Sequence, residues 1–455
     1  MTTGSEPLRV TLVTDILPGY SKDGATTYLE NVISGLSEQG AVVRVAVPDC
    51  GRYLNKPVFH IPNSLIRQVG DVSIRNYFPI GPYFIKLDIV SVIIAFFASC
   101  FKFLIRNQKA IDYVQNVVER LRRWRRVKRQ ERRISAGSDL PNEMQRFKPN
   151  QRRLQWMLSY LESHPTDVVI VNYLWLVDYL SLNPAGSVLL KTILTYDIFH
   201  RRHESLKQID LPDEWPMTKE QELAIWSKAD VLLAIQSDEA QVMQELVPDS
   251  KVLLCRLTAR PRWNADFEVT PNTCLFVGSR AYPNVDALRW FLETIWPKVL
   301  NLSANTQLHV AGSVYKSFGD YQRMPGVTWH GVLPDLTQIY QESAIVICPL
   351  RCGSGLKIKV IEAFSYGKAV IGTTPCAQGL DDARACGALS IRDDPIEFAQ
   401  ILHEYLVDKS KRKLTEDAVR QFTLSNLNPH RTYAALVDSL SVELSQVRLR
   451  GIASK

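Results

Sequence analysis

Short apolar runs and amphipathic stretches alternate along the first part of the chain. Leu8–Thr14 and Val42–Val47 are rich in β-branched and other apolar residues, which predicts two buried strands of a parallel sheet. Between them a helix is predicted over Thr26–Glu38, whose apolar stripe consists of Leu29, Val32, Ile33 and Leu36. Further strand-like runs follow at 167–172, 192–196, 230–236 and 251–255. This order is typical of a doubly wound α/β domain.

The alternation breaks over residues 258–272, a stretch with two prolines and no periodicity, and then starts again. Five further strands are predicted between Thr273 and Thr373, and a polar helical stretch over 395–446 closes the chain. Two such arrays predict two Rossmann-like, doubly wound domains that face a central cleft. The predicted bounds are 1–260 for the N-terminal domain, 271–425 for the C-terminal domain and 426–455 for a C-terminal helix that packs back on the N-terminal domain. A single large α/β domain is the alternative, and the break disfavours it.

Residues 76–150 do not follow the alternation, and we interpret them as a helical insertion in the N-terminal domain. Within them, 89–105 is an apolar run of 17 residues with one lysine, at the short limit for spanning a bilayer. An arginine-rich stretch follows over 120–133. The combination over about 89–133 fits a helix pair lying on an anionic membrane surface. The alternative is an insertion whose apolar part joins the domain core.

The composition and the cysteines of the chain indicate its class and its cellular compartment. The chain has 455 residues, 46% of them hydrophobic and 22% charged, which is typical of a soluble globular protein with two or three domains. Its eight cysteines form no CxxC pair, so we expect reduced, buried thiols and a cytoplasmic protein. The N-terminal residues do not have the pattern of a secretory signal.

The net charge of +7 is concentrated in one region. Residues 101–160 contain 16 Lys and Arg against 5 Asp and Glu, a local balance of +11, so the remainder carries about −4. This asymmetry indicates an acidic partner for one region of the chain. An anionic membrane, from the inner face, is the partner we favour; the arginine-rich stretch shows no recognisable nucleic-acid-binding module, and we expect no nucleic acid.

The segment 349–374 contains the strongest candidates for a functional site. It is predicted to form a strand end, a Gly-Ser-Gly turn, a helix, a glycine that ends the helix, and another strand. Gly353 and Gly355 allow backbone N–H groups to approach an anion, and the N-terminus of the following helix adds partial positive charge. Lys357 and Lys359 lie in the first turn of that helix, where a bound diphosphate would explain two cations. The alternative is a tight turn with solvent-exposed lysines.

Glu362 follows Lys359 by three residues, so the two side chains share one helix face. A carboxylate at that place can accept hydrogen bonds from a ribose diol. Turn chemistry alone does not decide between a donor site and a simple strand-to-helix connection.

The same segment resembles the donor-binding motif of GT-B glycosyltransferases in the large, mainly retaining family four, in particular a bacterial surface-polysaccharide branch. The motif R-x-G-S-G-x-[RK]-x-K-x-x-E-A is matched by Arg351, Gly353, Ser354, Gly355, Lys357, Lys359, Glu362 and Ala363. Segments 276–299, 309–313 and 329–351 are similar to the same branch in the same order, and the resemblance covers most of the chain except about 55–150.

The resemblance implies a GT-B fold and transfer of a sugar, with retention, from a nucleotide diphosphate sugar to a glycan or lipid-linked glycan acceptor. It implies that Glu362 holds the nucleotide ribose and that basic residues nearby meet the diphosphate, and we take Lys359 as a candidate catalytic residue. The donor-binding residues it implies are Gly278, Arg280, Gly353, Ser354, Gly355, Lys357, Lys359 and Glu362.

Four positions depart from the family pattern. Ser354 stands where many members have a second glutamate, and Ser279 and Asn284 stand where Arg and Lys are usual. Tyr196 replaces a histidine that would contact the transferred sugar. These departures motivate an alternative function, a catalytically inactive nucleotide-sugar-binding subunit.

The N-terminal domain contributes two further candidates. Gly24, Ala25, Thr26 and Thr27 match the family's glycine loop near the donor diphosphate and the acceptor, although simple N-capping would equally explain the threonines. Asp197 is a candidate catalytic group for the acceptor or the sugar, with a strand-end capping residue as the alternative. The histidines have no metal-ligand spacing and the chain has no Asp-x-Asp, so we expect a reaction without a metal or another cofactor.

Overall fold

The structure is a computed structural model that describes residues 6–18, 24–49, 58–86, 148–185, 187, 189–263 and 269–453. The predicted helix pair over about 89–133, and with it most of the predicted insertion, lies outside the described residues. In the parts of the chain that are described, no helix is both long and apolar enough to cross a membrane.

The N-terminal half is built on a parallel sheet. Its strands are β1 Arg9–Val13, β2 Val42–Val47, β3 Val58–His60, β4 Asp71–Ile74, β5 Tyr77–Ile80, β6 Tyr83–Lys86, β7 Val168–Asn172, β8 Leu190–Leu194, β9 Val231–Ala234 and β10 Lys251–Leu254. Seven of them form one sheet in the order β10-β9-β8-β7-β1-β2-β4, with parallel pairing throughout. The strand order reverses between β1 and β7, and the crevice at such a reversal is where doubly wound sheets bind ligands.

Helices cover both faces of this sheet. They are α1 Gly24–Glu38, α2 Asn63–Ile66, α3 Gln151–Ser163, α4 Phe199–Lys207, α5 Lys219–Trp226 and α6 Ser237–Leu246, with a 3₁₀ stretch at Leu174–Ser181. The predicted apolar stripe of α1 is fully buried and is joined in the core by Tyr28, which confirms the helical spacing seen in the sequence.

The C-terminal half has the same type of architecture, a parallel sheet covered by helices. Its strands are β11 Thr273–Val277, β12 Gln307–Ala311, β13 Val327–Gly331, β14 Ile345–Cys348, β15 Val370–Gly372 and β16 Leu389–Ile391. They form a six-stranded parallel sheet in the order β13-β12-β11-β14-β15-β16, which reverses between β11 and β14. The prediction of two Rossmann-like α/β domains is therefore confirmed.

The helices of this half are α7 Tyr282–Trp290, α8 Trp296–Leu302, α9 Thr337–Glu342, α10 Ile358–Ser365, α11 Asp381–Ala385, α12 Pro395–Val407, α13 Lys409–Asn426 and α14 Pro429–Ala453. A π-helical turn, Phe291–Ile295, joins α7 to α8, and short 3₁₀ turns occur at Ser313–Ser317, Gly319–Tyr321 and Thr374–Ala377. Five of the described cysteines are buried free thiols, as predicted, and Cys386 is exposed.

The C-terminal helix α14 contacts the N-terminal half. Tyr433 packs on Gly35 of α1, where an added Cβ would lie 2.0 Å from the tyrosine ring. The Tyr433 hydroxyl donates to Asn31 Oδ1 at 2.9 Å, and Arg448 forms an ion pair with Asp167 before β7. These contacts connect the end of the chain to the first helix, while the predicted domain bounds stay predictions.

The predicted insertion begins differently from the expectation. Residues 77–86, interpreted as the start of a helical insertion, form an antiparallel hairpin of β5 and β6, and β3 pairs with β6. Gly81, at φ +58°, is the first of two residues in the turn between Ile80 and Tyr83, as hairpin turns of the primed type require. The glycine and the proline after it end a short strand, so the helical interpretation of 77–86 is wrong.

Candidate active site

The segment 349–357 leaves the end of β14, beside the reversal of the C-terminal sheet, and enters α10. Gly353 and Gly355 have φ values of +119° and +73°, a region that glycine adopts without strain. The loop faces the N-terminal domain, where it contacts the residues that follow β8 and Ser205 near the end of α4. The two glycines predicted from the sequence therefore lie in a loop between the two domains.

Within this loop, Gly355 lies in close contact with the N-terminal domain. A Cβ added there would lie 2.0 Å from Asp197 Oδ1 and 2.8 Å from the Tyr196 carbonyl oxygen. The Ser354 hydroxyl donates to Asp197 Oδ1 at 3.2 Å, and the Gly353 N–H donates to Ser205 Oγ at 3.1 Å. The structure thus brings Asp197 and the glycine loop, 157 residues apart in sequence, into one assembly.

Lys357 is buried within this assembly. Its Nζ donates to the carbonyl oxygens of Ser354 at 2.7 Å and Gly355 at 2.8 Å, and to Gln378 Oε1 at 2.9 Å. These three bonds match the three donors of an ammonium group, so Lys357 supports the loop conformation from inside. Burial lowers the pKa of Lys357, while the charge of Asp197 opposes that shift. Its predicted role at the diphosphate stays a prediction.

Lys359 points in another direction, toward the start of α7. Its Nζ donates to Asn284 Oδ1 and lies 5.0 Å from the centre of the Phe276 ring. Asn284 in turn donates to the side chain of Ser279 at 3.1 Å. Burial lowers the pKa of Lys359. The two departures at Ser279 and Asn284 therefore form one hydrogen-bonded chain with the lysine implied to bind the diphosphate.

Gly278 and Arg280 follow β11. A Cβ at Gly278 would lie 2.7 Å from the Phe276 ring, so the backbone passes close to that side chain. The Arg280 N–H donates to Ser313 Oγ at 3.1 Å, and its Nε donates to Ser317 Oγ at 3.3 Å. The guanidinium of Arg280 thus lies on the 3₁₀ turn after β12.

Glu362 lies one turn along α10 from Lys359 and is half-buried. Its Oε2 accepts a hydrogen bond of 3.0 Å from the Tyr340 hydroxyl. Tyr340 stacks on Tyr366 with ring centres 4.8 Å apart, and burial together with the charge of Glu362 raises the pKa of Tyr340. Tyr340 orients this carboxylate, a role for which the sequence contains no signal.

The N-terminal end of α1 meets that of α10. A Cβ at Gly24 would lie 2.8 Å from Cδ1 of Ile358, the first residue of α10. Ala25 O lies 3.2 Å from the Tyr196 hydroxyl, while Thr26 is buried and Thr27 is exposed. Two helix N-termini with partial positive charge therefore converge beside the glycine loop, an arrangement that favours a bound anion.

Asp197 is surrounded by polar partners from both domains. Its Oδ2 lies 3.7 Å from a guanidinium nitrogen of Arg202, and the charges of Arg202 and Lys357 both act on it. Burial nevertheless raises its pKa. An acid of this kind, held between cations at the domain junction, can take part in hydrogen bonding to a hydroxyl group of a bound molecule.

Glu239 is a neighbour of Asp197 that the sequence interpretation missed. It lies in the first turn of α6, is 4% exposed, and has no hydrogen-bond partner for Oε2 among the described residues. Burial and the charge of Asp197 raise its pKa to about 8. Its position four residues before the buried Met243, on the same helix face, is the signal that would have found it.

His200 lies four residues after Tyr196 and contacts a buried carboxylate. Glu222 of α5 accepts hydrogen bonds from the backbone N–H groups of Phe199 at 2.8 Å and His200 at 3.0 Å, and its carboxylate lies 2.6 Å from His200 Nδ1. Glu222 is fully buried and thus caps the start of α4. The described residues contain no cluster of three His, Cys, Asp or Glu side chains arranged to hold a metal ion.

Comparisons with known proteins agree with this fold. Residues 271–408 match the family model "Glycosyl transferases group 1". An uncharacterized 44.6 kDa protein in the cps region of Klebsiella pneumoniae is 22% identical over 180 residues, 37% of this chain and 46% of that protein. This match therefore spans about half the length of the curated relative.

Among solved structures, the chain is similar to sucrose-phosphate synthase from Thermosynechococcus elongatus, with a TM-score of 0.59, 13% identity, and coverage of 98% of this chain and 100% of that one. It is also similar to Anabaena HepE in complex with UDP and glucose, with a TM-score of 0.58, 9% identity, and coverage of 95% and 99%. WaaG, a glycosyltransferase involved in lipopolysaccharide biosynthesis, gives a TM-score of 0.53 at 12% identity, with coverage of 95% and 99%.

The fold of the chain is GT-B, two Rossmann-like domains in one chain. Residues 271–408 of its C-terminal half match the glycosyl transferases group 1 model. The domain match and the fold together support a glycosyltransferase.

Proposed function

We propose that this chain transfers a sugar from a nucleotide diphosphate sugar to a glycan or lipid-linked glycan acceptor. The observation that carries the proposal is the meeting of two helix N-termini, at Gly24 and Ile358, beside the Gly353–Gly355 loop. Backbone N–H groups and two helix dipoles directed at one place suit a diphosphate, which carries the negative charge of the donor.

The donor is proposed to lie along α10. Its diphosphate lies at the glycine loop with Lys359 as the counter-cation, and its ribose diol donates hydrogen bonds to Glu362. The hydrogen bond from Tyr340 to Glu362 supports this role, because it fixes the orientation of the carboxylate. Among structurally similar proteins, one is in complex with UDP and glucose, which supports a nucleotide sugar as donor.

The reaction is proposed to need no metal and to retain the configuration of the sugar. Lysine and helix N-termini supply the positive charge that stabilises the leaving diphosphate. Asp197 is proposed to bind a hydroxyl group of the acceptor or the transferred sugar, since its carboxylate lies beside the glycine loop and between cations.

The acceptor is proposed to be presented at the inner face of the cytoplasmic membrane. The apolar run 89–105 and the excess of +11 over residues 101–160 support this part of the proposal. Surface-polysaccharide assembly is the proposed setting, and the similarity to a protein of a cps region and to WaaG supports it.

A thermal-shift screen against a panel of nucleotide sugars, followed by a turnover assay with the donors that stabilise the chain, tests the proposal. A donor that binds only the folded state must raise the unfolding temperature. Stabilisation followed by transfer or slow hydrolysis of the donor is the expected result. Stabilisation without any turnover would favour an inactive nucleotide-sugar-binding subunit, which the departures at Ser354 and Tyr196 motivate. No stabilisation by any nucleotide sugar would refute the donor site.

A further inference from the structure

The small sheet β3–β6–β5 has one buried face and one exposed apolar face. Residues directly opposite each other in antiparallel strands lie on the same face, so the pairing register assigns each side chain to one face. Phe59 and Phe84 pair on the inner face and are 1% and 3% exposed. The outer face, here called the sheet face, consists of Val58, His60, Phe78, Ile80, Tyr83 and Ile85.

The sheet face is a contiguous apolar surface. Val58, Phe78, Ile80 and Tyr83 are 45%, 54%, 56% and 49% exposed, and the register places them next to one another. Single exposed apolar residues are ordinary on protein surfaces, but a contiguous group of aromatic and branched side chains marks an interaction surface.

The sheet face lies near the ligand-binding edge of the N-terminal domain. Strand β4 ends at Ile74, and the chain turns at Asn76, with φ +70°, directly into β5. The small sheet therefore continues from a carboxyl end of the parallel sheet, the edge at which doubly wound domains bind their ligands. A partner of the sheet face would lie on the acceptor side of the molecule.

The segment that contains the sheet face carries little negative charge. Residues 58–86 contain Arg67, Arg75 and Lys86 against a single acid, Asp71. The Asp71 carboxylate accepts hydrogen bonds from Tyr160 at 3.0 Å and from Ser73 at 2.8 Å. No member of the sheet face is acidic. An apolar surface without acidic residues, in a segment whose net charge is +2, suits interfacial binding to an anionic membrane.

The sequence after β6 points to the same partner. Three residues beyond Lys86 the apolar run 89–105 begins, and the strongly basic region 101–160 overlaps its end. We propose that the sheet face rests on an anionic lipid bilayer and turns the acceptor side of the cleft toward the membrane. This inference rests on the proposed function, since a membrane-presented acceptor gives the contact its purpose.

Vesicle flotation of the full chain tests the sheet face. The variant F78S/I80S removes two exposed apolar side chains, and L414S/V442S, on exposed positions of α13 and α14, is the matched control. Wild type and control are expected to float with vesicles that contain phosphatidylglycerol, and F78S/I80S to bind at least about tenfold more weakly. Vesicles of phosphatidylcholine alone are expected to bind all three less well. Equal flotation of F78S/I80S and wild type would overturn the proposal.

Further measurements distinguish the bilayer from two alternative occupants of the sheet face, a second copy of the chain and another part of the same chain. Light scattering that finds a wild-type dimer and a monomeric F78S/I80S variant would assign the face to a second copy of the chain. An environment-sensitive fluorophore on I80C, in a background in which Cys50, Cys100 and Cys386 are replaced by serine, is expected to shift to the blue when anionic vesicles are added. A spectrum already blue-shifted and insensitive to vesicles would show that the chain itself covers the face.

The same variants test the proposed membrane contact of the sheet face separately from the proposed function. Nucleotide sugars are expected to raise the unfolding temperature of F78S/I80S as much as that of wild type. Donor stabilisation without flotation would overturn the surface alone. Flotation that depends on Phe78 and Ile80, with no stabilisation by any nucleotide sugar, would refute the proposed function and leave the surface contact standing.

Discussion

Gly355 of the C-terminal domain lies against the carboxylate of Asp197 in the N-terminal domain, so closely that an added Cβ would be 2.0 Å from Oδ1. Only a residue without a side chain permits this contact. The Ser354 hydrogen bond to the same oxygen makes Asp197 a connection between the glycine loop and the end of β8. This contact therefore joins the proposed donor site to the proposed acceptor side.

Gly355→Ala should separate the two domains at this contact. The methyl group cannot be accommodated without moving Asp197 or the loop, so transfer activity should fall by at least about 100-fold, the scale of a displacement of about 1 Å in an active site. Gly387→Ala is the matched control, because Gly387 also has a positive φ, +79°, but an added Cβ meets nothing within 4 Å. Both variants carry the backbone strain, of about 1 kcal/mol. Steady-state kinetics and thermal unfolding of the two variants would show whether the close approach matters; equal activity would contradict it.

Glu362→Gln should weaken donor binding. The amide keeps the size of the side chain but lacks the negative charge that a ribose diol would face, and a hydrogen bond to a charged group contributes about 1.5–3 kcal/mol. We therefore expect the dissociation constant of the nucleotide sugar to rise about 10- to 100-fold, measured by calorimetry. Glu397→Gln, an exposed carboxylate on α12, is the control and should bind the donor as wild type does. Donor affinity unchanged in Glu362→Gln would remove Glu362 from the donor site.

Lys357 and Lys359 should respond differently to replacement, although they lie two residues apart. Lys357→Met removes three buried hydrogen bonds and the cation beside Asp197, so it should lower the free energy of unfolding by about 3 kcal/mol. Lys359→Met removes one hydrogen bond, to Asn284, so it should lower the free energy of unfolding by only about 1 kcal/mol, and it should weaken the binding of the nucleotide diphosphate. Urea unfolding and calorimetry on both variants check this. A stable Lys357→Met chain, or unchanged diphosphate binding in Lys359→Met, would contradict the assignment.

The sequence was sufficient to predict eleven of the thirteen strands of the two parallel sheets, helix α1 and the glycine loop. Parallel strands buried on both faces are apolar throughout, and α1 buries one stripe, so their patterns follow from local composition. The Gly353–Gly355 turn and the Glu362 face of α10 follow in the same way, because each depends on residues within a few positions of one another.

The sequence could not predict the directions in which the side chains point. Lys357 and Lys359 look equivalent there, yet one is enclosed by its own loop and Gln378, and the other extends to Asn284. Glu239 lies beside Asp197, 42 positions away, only because β9 follows β8 in the sheet. The hairpin after β4 was missed because an aromatic, proline-containing run has no clear period over four residues.

The buried Glu239 carboxyl should make stability depend on pH. Its pKa in the folded chain is raised to about 8, above its ordinary value of 4.5, mainly by burial and then by the charge of Asp197. The folded state therefore holds this proton more tightly than the unfolded state. The resulting stabilisation is complete below about pH 4.5 and is lost as the pH rises through about 8.

Glu239→Gln isolates this effect, because the amide has no proton to lose and every other titrating group remains. The variant should gain at least about 1 kcal/mol relative to wild type between pH 5 and pH 9, as measured by urea unfolding across that range. Glu245→Gln, on the exposed face of α6, is the control, and its difference from wild type should be the same at each pH.

Asp197 and the cations Lys357 and Arg202 face the same junction, so Asp197→Asn should lower the pKa of Glu239 and move the transition of the otherwise wild-type chain to lower pH. A difference between Glu239→Gln and wild type that does not change with pH would show that Glu239 is ionised in the folded chain.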